Sequence, residues 1–292
     1  MLMGVSGLGL STSTGLRTTS CDRSGGLRIW SVPFIHVGDL QIYYEFHGDG
    51  FPLLHISGTG GDLRRTFPAQ SQLNKHFLGL HFDQRGLGRT SLGDHPPTMA
   101  DFADDAAALC AELGWQRFNV VGTSFGGMVA QHLAIRHPEL VDRLVLNCTS
   151  PGGDAPSYPL HKLQTLEPEA RAEAWIRLMD TRYEQTGEIP GLEGLTSLFR
   201  AAQNAPMSDK AAKGLAAQLE ARRHHDAVQG LAAIVAPTLV CAGRYDAIAP
   251  VSRSERIASE VPDARLRVFD GGHLFMMQDP QATTAICEFL SA

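Results

Sequence analysis

The chain predicts an α/β fold: a mostly parallel central sheet, helices on both of its faces, and a helical insertion before the last strands. Three observations lead there. Short apolar runs alternate with helical periodicities from about Pro33 onward. The runs are apolar throughout rather than at every second residue, which marks strands buried on both faces. The rhythm stops between Pro151 and about Gly230 and returns at Pro237.

The elements follow in order. Gln41-Ile42-Tyr43-Tyr44-Glu45-Phe46 is aromatic and β-branched enough for an outer strand. Leu53–Ile56 is a short buried strand that ends at Ser57-Gly58-Thr59-Gly60-Gly61, and Phe77–Phe82 is another, ending at Asp83-Gln84-Arg85-Gly86-Leu87-Gly88. From Thr98 to Leu113, Phe102, Ala106, Leu109 and Leu113 recur at helical steps, and Gly114 closes the helix. Phe118–Val121 is a strand, Phe125–Arg136 a helix stopped by Pro138, and Leu144–Leu146 the next strand. Helical spacing then dominates, as in Ala170–Met179 and Ala211–Ala221. After the insertion come a strand at Pro237–Ala242, a helix at Ser252–Glu260, a strand at Arg265–Phe269 and a last helix after Pro280. The expected organisation is therefore an extension at 1–30, a core formed by 31–150 and 231–292, and a helical lid at 151–230.

Met1–Gly26 is rich in Gly, Ser and Thr, and its first cation is Arg17. A secretory leader wants early Lys or Arg and an undiluted apolar stretch. The segment reads instead as a disordered extension or the product of a mis-chosen start codon. No apolar run approaches membrane-spanning length. Five cysteines (Cys21, Cys110, Cys148, Cys241 and Cys287) are scattered with no C-x-x-C pair. Reduced thiols in a cytoplasmic protein are the expected state. The net charge of -6 argues against a nucleic-acid partner, since such proteins carry basic clusters. The nearest approach to a cluster, Arg222-Arg223-His224-His225, reads as a solvated helix face. Nothing in the pattern bears on oligomeric state.

The chemistry centres on Gly122-Thr123-Ser124-Phe125-Gly126. A buried strand precedes this G-x-S-x-G and a helix follows it, the setting of a nucleophile elbow. The turn is so tight that residues two either side of the serine must be small, and both are glycine. It also places Ser124 at the positive end of a helix.

A serine hydroxyl needs a base. Of 12 histidines, His273 stands just after the last predicted strand, in Phe269-Asp270-Gly271-Gly272-His273, at the carboxyl edge where open α/β sheets bind ligands. His132 and His137 lie on the helix after the serine, His224 and His225 in the insertion, and His55 and His81 within strands. The acid that orients the imidazole is expected to be Asp246, after the strand ending at Ala242, with Asp270 as the fallback. An oxyanion needs two N–H donors. Phe125 supplies one, and the glycine-rich loop after Ile56 the other, with Thr59 the first choice and Gly58 the second.

Together these residues resemble the α/β-hydrolase superfamily. Asp83-Gln84-Arg85-Gly86-Leu87-Gly88-Arg89-Thr90 is similar to its D-x-R-G-x-G-x-S segment, with Thr90 where serine is usual. Gly243-Arg244-Tyr245-Asp246 and Gly271-Gly272-His273 match the acid and histidine loops. The resemblance implies an α/β-hydrolase fold with a lid between its sixth and seventh strands and a Ser124–His273–Asp246 triad. It is nearest to small esterases, enol-lactonases and cofactor-free haloperoxidases. Ser57-Gly58 stands where His-Gly is usual, as in some enol-lactonase-like members. The implied activity is hydrolysis of a small-molecule carboxylic ester or lactone with no metal or organic cofactor. The alternatives are carbon–carbon bond hydrolysis or perhydrolysis in the same cleft, and a non-catalytic ligand receptor on the same fold. Thr123, where carbon–carbon hydrolases often carry Asn, ranks the first of these lower. Met207, Leu198, Phe199, Trp175 and Met276 are candidates to line an apolar pocket under the lid.

Overall fold

The structure is a computed structural model, and it describes residues 33–292. The expectation for residues 1–30 lies outside that range. Eight strands form one sheet: β1 (Phe34–Val37), β2 (Leu40–His47), β3 (Phe51–Ile56), β4 (Phe77–Phe82), β5 (Phe118–Thr123), β6 (Val141–Asn147), β7 (Thr238–Gly243) and β8 (Ala264–Phe269). Their order is β1-β2-β4-β3-β5-β6-β7-β8, antiparallel at β1–β2 and β2–β4 and parallel from there on. Ten helices accompany them among the described residues. In the first half these are α1 (Leu63–Thr66), α2 (Met99–Glu112) and α3 (Phe125–Arg136). Between β6 and β7 stand α4 (Pro168–Met179), α5 (Tyr183–Thr186), α6 (Leu195–Asn204) and α7 (Asp209–Arg223). The chain ends with α8 (Val251–Glu260), α9 (Phe275–Gln278) and α10 (Pro280–Ser291).

The unbroken apolar runs have a direct cause. Side chains alternate across a strand, and both faces of this sheet are covered. Leu54, Val120, Leu144, Leu146 and Val240 pack with α2, α3 and α8. Their neighbours Leu53, Val121, Val145, Leu239 and Cys241 pack with α9 and α10 on the other face. The insert between β6 and β7 has its own small core, including Leu160, Leu163, Ile176, Met179, Tyr183 and Leu219. β1 escaped the sequence reading because four residues beside a turn show too little alternation. The four-residue α1, α5 and α9 fall below the same window.

α2 starts where its chemistry says it should. Thr98 accepts from the Asp101 N–H, and the Asp101 carboxylate accepts from the Thr98 N–H, a capping box. Gly114, with φ +78, ends it. No helix among the described residues is long and apolar enough to cross a membrane. Cys110, Cys148, Cys241 and Cys287 are free thiols, the first three buried.

Candidate active site

Ser124 connects β5 to α3 with φ 56 and ψ -115, a conformation that a residue with a Cβ adopts only under strain, of order 1–3 kcal/mol. The surroundings hold it there. The Ser124 N–H donates to Asn147 O at 2.8 Å, and Thr149 Oγ1 donates to Ser124 O at 2.8 Å. The expected need for small neighbours is met in atomic detail. A Cβ on Gly122 would lie 2.4 Å from Gly126 O, and one on Gly126 would lie 2.0 Å from Ile56 O. α3 therefore rests on the carbonyl end of β3, and Ser124 stands at the sheet's carboxyl edge.

The acid and the base meet at the same edge. Asp246 follows β7, and His273 follows β8, its pairing neighbour. His273 Nδ1 is 2.7 Å from Asp246 Oδ2, both side chains buried. The other oxygen, Asp246 Oδ1, accepts from the N–H groups of Ile248 at 2.8 Å and Ala249 at 2.9 Å. The carboxylate is thus fixed by three donors and the imidazole by the carboxylate. The N–H of His273 donates to Met179 O at 2.6 Å, which ties the histidine loop to the end of α4. Asp270 takes no part. Its exposed carboxylate faces Arg182 at 3.4 Å, so the fallback assignment is set aside. Among the described residues, no hydrogen bond joins Ser124 Oγ to His273; bonds of this kind commonly tighten only when substrate binds.

The other histidines are engaged elsewhere. His132 Nε2 meets His225 Nδ1 at 3.2 Å, His137 pairs with Asp104 and His224 with Glu220. His55 and His81 stack face to face at 4.1 Å inside the sheet. Burial pulls His55 down to about 4 and His81 to about 2, so both are neutral at ordinary pH.

The loop after β3 lies over Ser124. A Cβ on Gly58 would be 3.4 Å from Ser124 Cβ and 4.0 Å from its Oγ. The Gly61 N–H donates to Gly58 O at 3.0 Å, and Gly60 has φ +70, which makes Gly58–Gly61 a turn that needs glycine at its third position. Gln84 anchors the start of the loop, donating through Nε2 to Ser57 O at 2.8 Å. No acceptor among the described residues takes the N–H of Gly58, Thr59 or Phe125, whereas that of Gly60 donates to Gln218 Oε1 at 2.8 Å. Gly58, the second choice of the sequence reading, lies close to Ser124 and adjoins Thr59, the first choice. The Asp83–Thr90 segment is structural. Asp83 accepts from the N–H groups of Leu63 and Arg89, and a Cβ on Gly88 would lie 2.3 Å from its carboxylate.

Cys148 Sγ lies within 4.8 Å of the facing atoms of Asp246 and His273, the one such trio among the described residues. It does not make a convincing metal centre. Burial raises the Cys148 thiol well above its ordinary value, which disfavours the thiolate a metal requires, and the His–Asp bond already occupies the other two groups.

Two sequence expectations need correction. Leu198 and Met207 are exposed, 66% and 51%, so they do not line an interior pocket; Leu198 borders a surface cleft with Gly191, Glu193 and Ser197. Trp175 and Phe199 pack on the core of the insert, and Met276 on the α9–α10 side of the sheet, where its sulfur accepts from Asn147 Nδ2 at 3.2 Å. The basic run is not one solvated face either. Arg223 and His224 are exposed, but Arg222 and His225 are buried. Which side of α7 is covered depends on its seat against the sheet edge, a contact that periodicity does not contain.

Known proteins are similar to this chain in fold and sequence. The profile described as "alpha/beta hydrolase fold" matches residues 52–280. The chain belongs to the α/β-hydrolase fold family. Within it, the chain is 30% identical over 245 residues to a poly(3-hydroxyalkanoate) depolymerase of Ectopseudomonas oleovorans, covering 80% of this chain and 82% of that one. Among solved structures, a hydrolase from Pseudomonas aeruginosa PA01 superposes with a TM-score of 0.69 at 32% identity, covering 89% and 98% of the two chains. The enol-lactonase from Burkholderia xenovorans LB400 gives 0.73 at 25% identity, covering 89% and 100%.

Proposed function

We propose that this α/β-hydrolase cleaves a small carboxylic ester or lactone through an acyl-enzyme on Ser124. The observation that carries the proposal is the arrangement at one sheet edge: a strained, helix-capping Ser124 covered by Gly58, beside a buried His273 bound to Asp246 at 2.7 Å. The names of two similar proteins, a depolymerase and an enol-lactonase, point the same way.

The steps follow from the groups present. Asp246 accepts the Nδ1 proton of His273, which leaves Nε2 with a lone pair. As substrate binds, Nε2 takes the hydroxyl proton of Ser124, and Oγ bonds to the carbonyl carbon. The free amides of Phe125 and of the Gly58–Thr59 loop receive the oxyanion, the largest electrostatic aid in such reactions. When the carbon–oxygen bond breaks, the imidazolium protonates the leaving alkoxide. Water then gives a proton to Nε2 and its oxygen to the acyl carbon; the bond from that carbon to Ser124 Oγ breaks, the imidazolium returns the proton to Oγ, and the acid leaves. In this reading the helical insert acts as a lid and the protein works in the cytoplasm, which the unpaired cysteines among the described residues support.

The test is hydrolysis of a short p-nitrophenyl ester by wild type and Ser124→Ala. A loss of essentially all turnover in the variant is expected. Equal rates would remove Ser124 from the chemistry.

A further inference from the structure

Helix α7 of the insert lies against the loops that surround Ser124, and one stripe of it makes the contact. Gly214 comes first: a Cβ there would lie 2.1 Å from Gly86 O, so the helix backbone presses directly on the loop after β4. Gln218, one turn on, is fully buried and accepts the Gly60 N–H through Oε1 at 2.8 Å. Arg222, a further turn on, is 7% exposed. Its guanidinium donates to Ser157 Oγ at 2.7 Å and reaches Thr59 Oγ1 at 3.5 Å. Positions 214, 218 and 222 fall on one face of a helix, and this face covers the residues next to Gly58 and Ser124.

The stripe is left with donors and no acceptors. Arg222 Nε and Gln218 Nε2 are both buried with no hydrogen-bond partner. No carboxylate among the described residues lies within ion-pair distance of Arg222; both of its partners are neutral hydroxyls. The nearby negative charge is that of Asp246, whose oxygens are already taken by His273, Ile248 and Ala249. A buried cation without a counter-ion, beside a second free donor, is an expensive arrangement to keep unless an anion completes it. Burial draws the Arg222 guanidinium down to about 10, against the opposing pull of the Asp246 charge, and it remains charged at neutral pH.

We propose that Arg222 and Gln218 form an anion subsite beside Ser124, and that the ester or lactone cleaved there carries a carboxylate. A planar carboxylate offers two acceptor oxygens, matching a guanidinium edge and an amide N–H. Entry of such a group displaces the insert enough to admit it, and the two free donors gain an acceptor. Substrate preference in this chain is then set by charge on α7 as well as by apolar contacts. The inference rests on the reading of Ser124 as nucleophile, but its binding component can be measured without turnover.

Two pairs of esters test it. p-Nitrophenyl hydrogen glutarate against p-nitrophenyl butyrate places the acid on the acyl side. 3-Acetoxybenzoate against phenyl acetate places it on the leaving group. Wild type should favour the anionic member of at least one pair in kcat/KM. In Arg222→Met that ratio should fall about 10- to 100-fold, mainly through KM, as expected for losing a hydrogen-bonded charge. Arg222→Lys should retain part of the preference. Binding of glutarate to Ser124→Ala, read by calorimetry, should weaken by a similar factor when Arg222→Met is added, while glutaramide binding changes little. Wild type and Ser124→Ala serve as references should Arg222→Met fold poorly; glutarate binding no tighter than glutaramide binding to them overturns the proposal. So does an unchanged ratio in a folded Arg222→Met. Arg222-dependent glutarate binding without hydrolysis of any ester would keep the anion subsite and discard the hydrolase reading.

Discussion

Replacing Asp246 by Asn isolates the work done by one proton. The substitution is nearly isosteric, and the structure dictates which way the amide must turn. Oδ1 accepts two backbone N–H groups, from Ile248 and Ala249, at 2.8 and 2.9 Å. An NH2 there would face two donors, so the amide oxygen keeps that place and the NH2 faces His273 Nδ1. Nδ1 must then accept. The ring proton moves to Nε2, the nitrogen that should receive the proton of Ser124, and the base is lost while the geometry is kept. The expected loss is about 10,000-fold in kcat, or about 5 kcal/mol of barrier at about 1.4 kcal/mol per factor of ten. Steady-state hydrolysis of p-nitrophenyl acetate, with thermal unfolding as the control for folding, measures it. Asp270→Asn, an exposed side chain facing Arg182, should stay near wild type. A folded Asp246→Asn that keeps more than about a tenth of the rate would refute the reasoning, since a reversed tautomer allows no such residue of activity.

Two other expectations concern stability. Gly126→Ala sets a methyl group 2.0 Å from Ile56 O and 2.7 Å from Ser57 O, so α3 must shift off β3; a loss of about 1–3 kcal/mol is expected in urea unfolding, with activity falling further because Ser124 moves with the helix. Unchanged stability would mean the elbow is looser than its contacts imply. The second concerns acid. His55, His81 and His225 are held at about 4, 2 and 3, chiefly by burial, below the ordinary 6.5. An unfolded chain therefore takes up these protons first as pH falls. Stability should be level above about pH 6.5 and decline from there toward pH 4, by roughly 2 kcal/mol for each such histidine at pH 5. Urea midpoints that hold steady or rise between pH 7 and 5 would contradict it.

Much of the fold was legible because burial on both faces writes itself into the sequence. Leu53 and Leu54 face opposite ways, yet both had to be apolar. The elbow was legible for a similar reason: Gly122 and Gly126 are demanded by contacts a few residues away. Arg222 and His225 were not legible. Arg222 is covered where Gly214 of the same helix seats on Gly86, more than 120 residues away in sequence, and His225 by Gly152, Ser150 and His132; local periodicity treats a covered and an uncovered face alike. Leu198 misled in the opposite sense, as an apolar residue left on the surface. The choice between Asp246 and Asp270 rested on Asp246 following a strand; in the folded chain it becomes a 2.7 Å bond against a solvent-facing carboxylate.

The most direct measurement is intact-mass and peptide analysis after brief exposure to a fluorophosphonate. A single adduct on Ser124, formed quickly by wild type and at least a thousandfold more slowly by His273→Ala, is the predicted outcome, on the order expected when a triad base is removed. Labelling at another residue, or labelling of Ser124 at the same rate without the imidazole, would contradict the account.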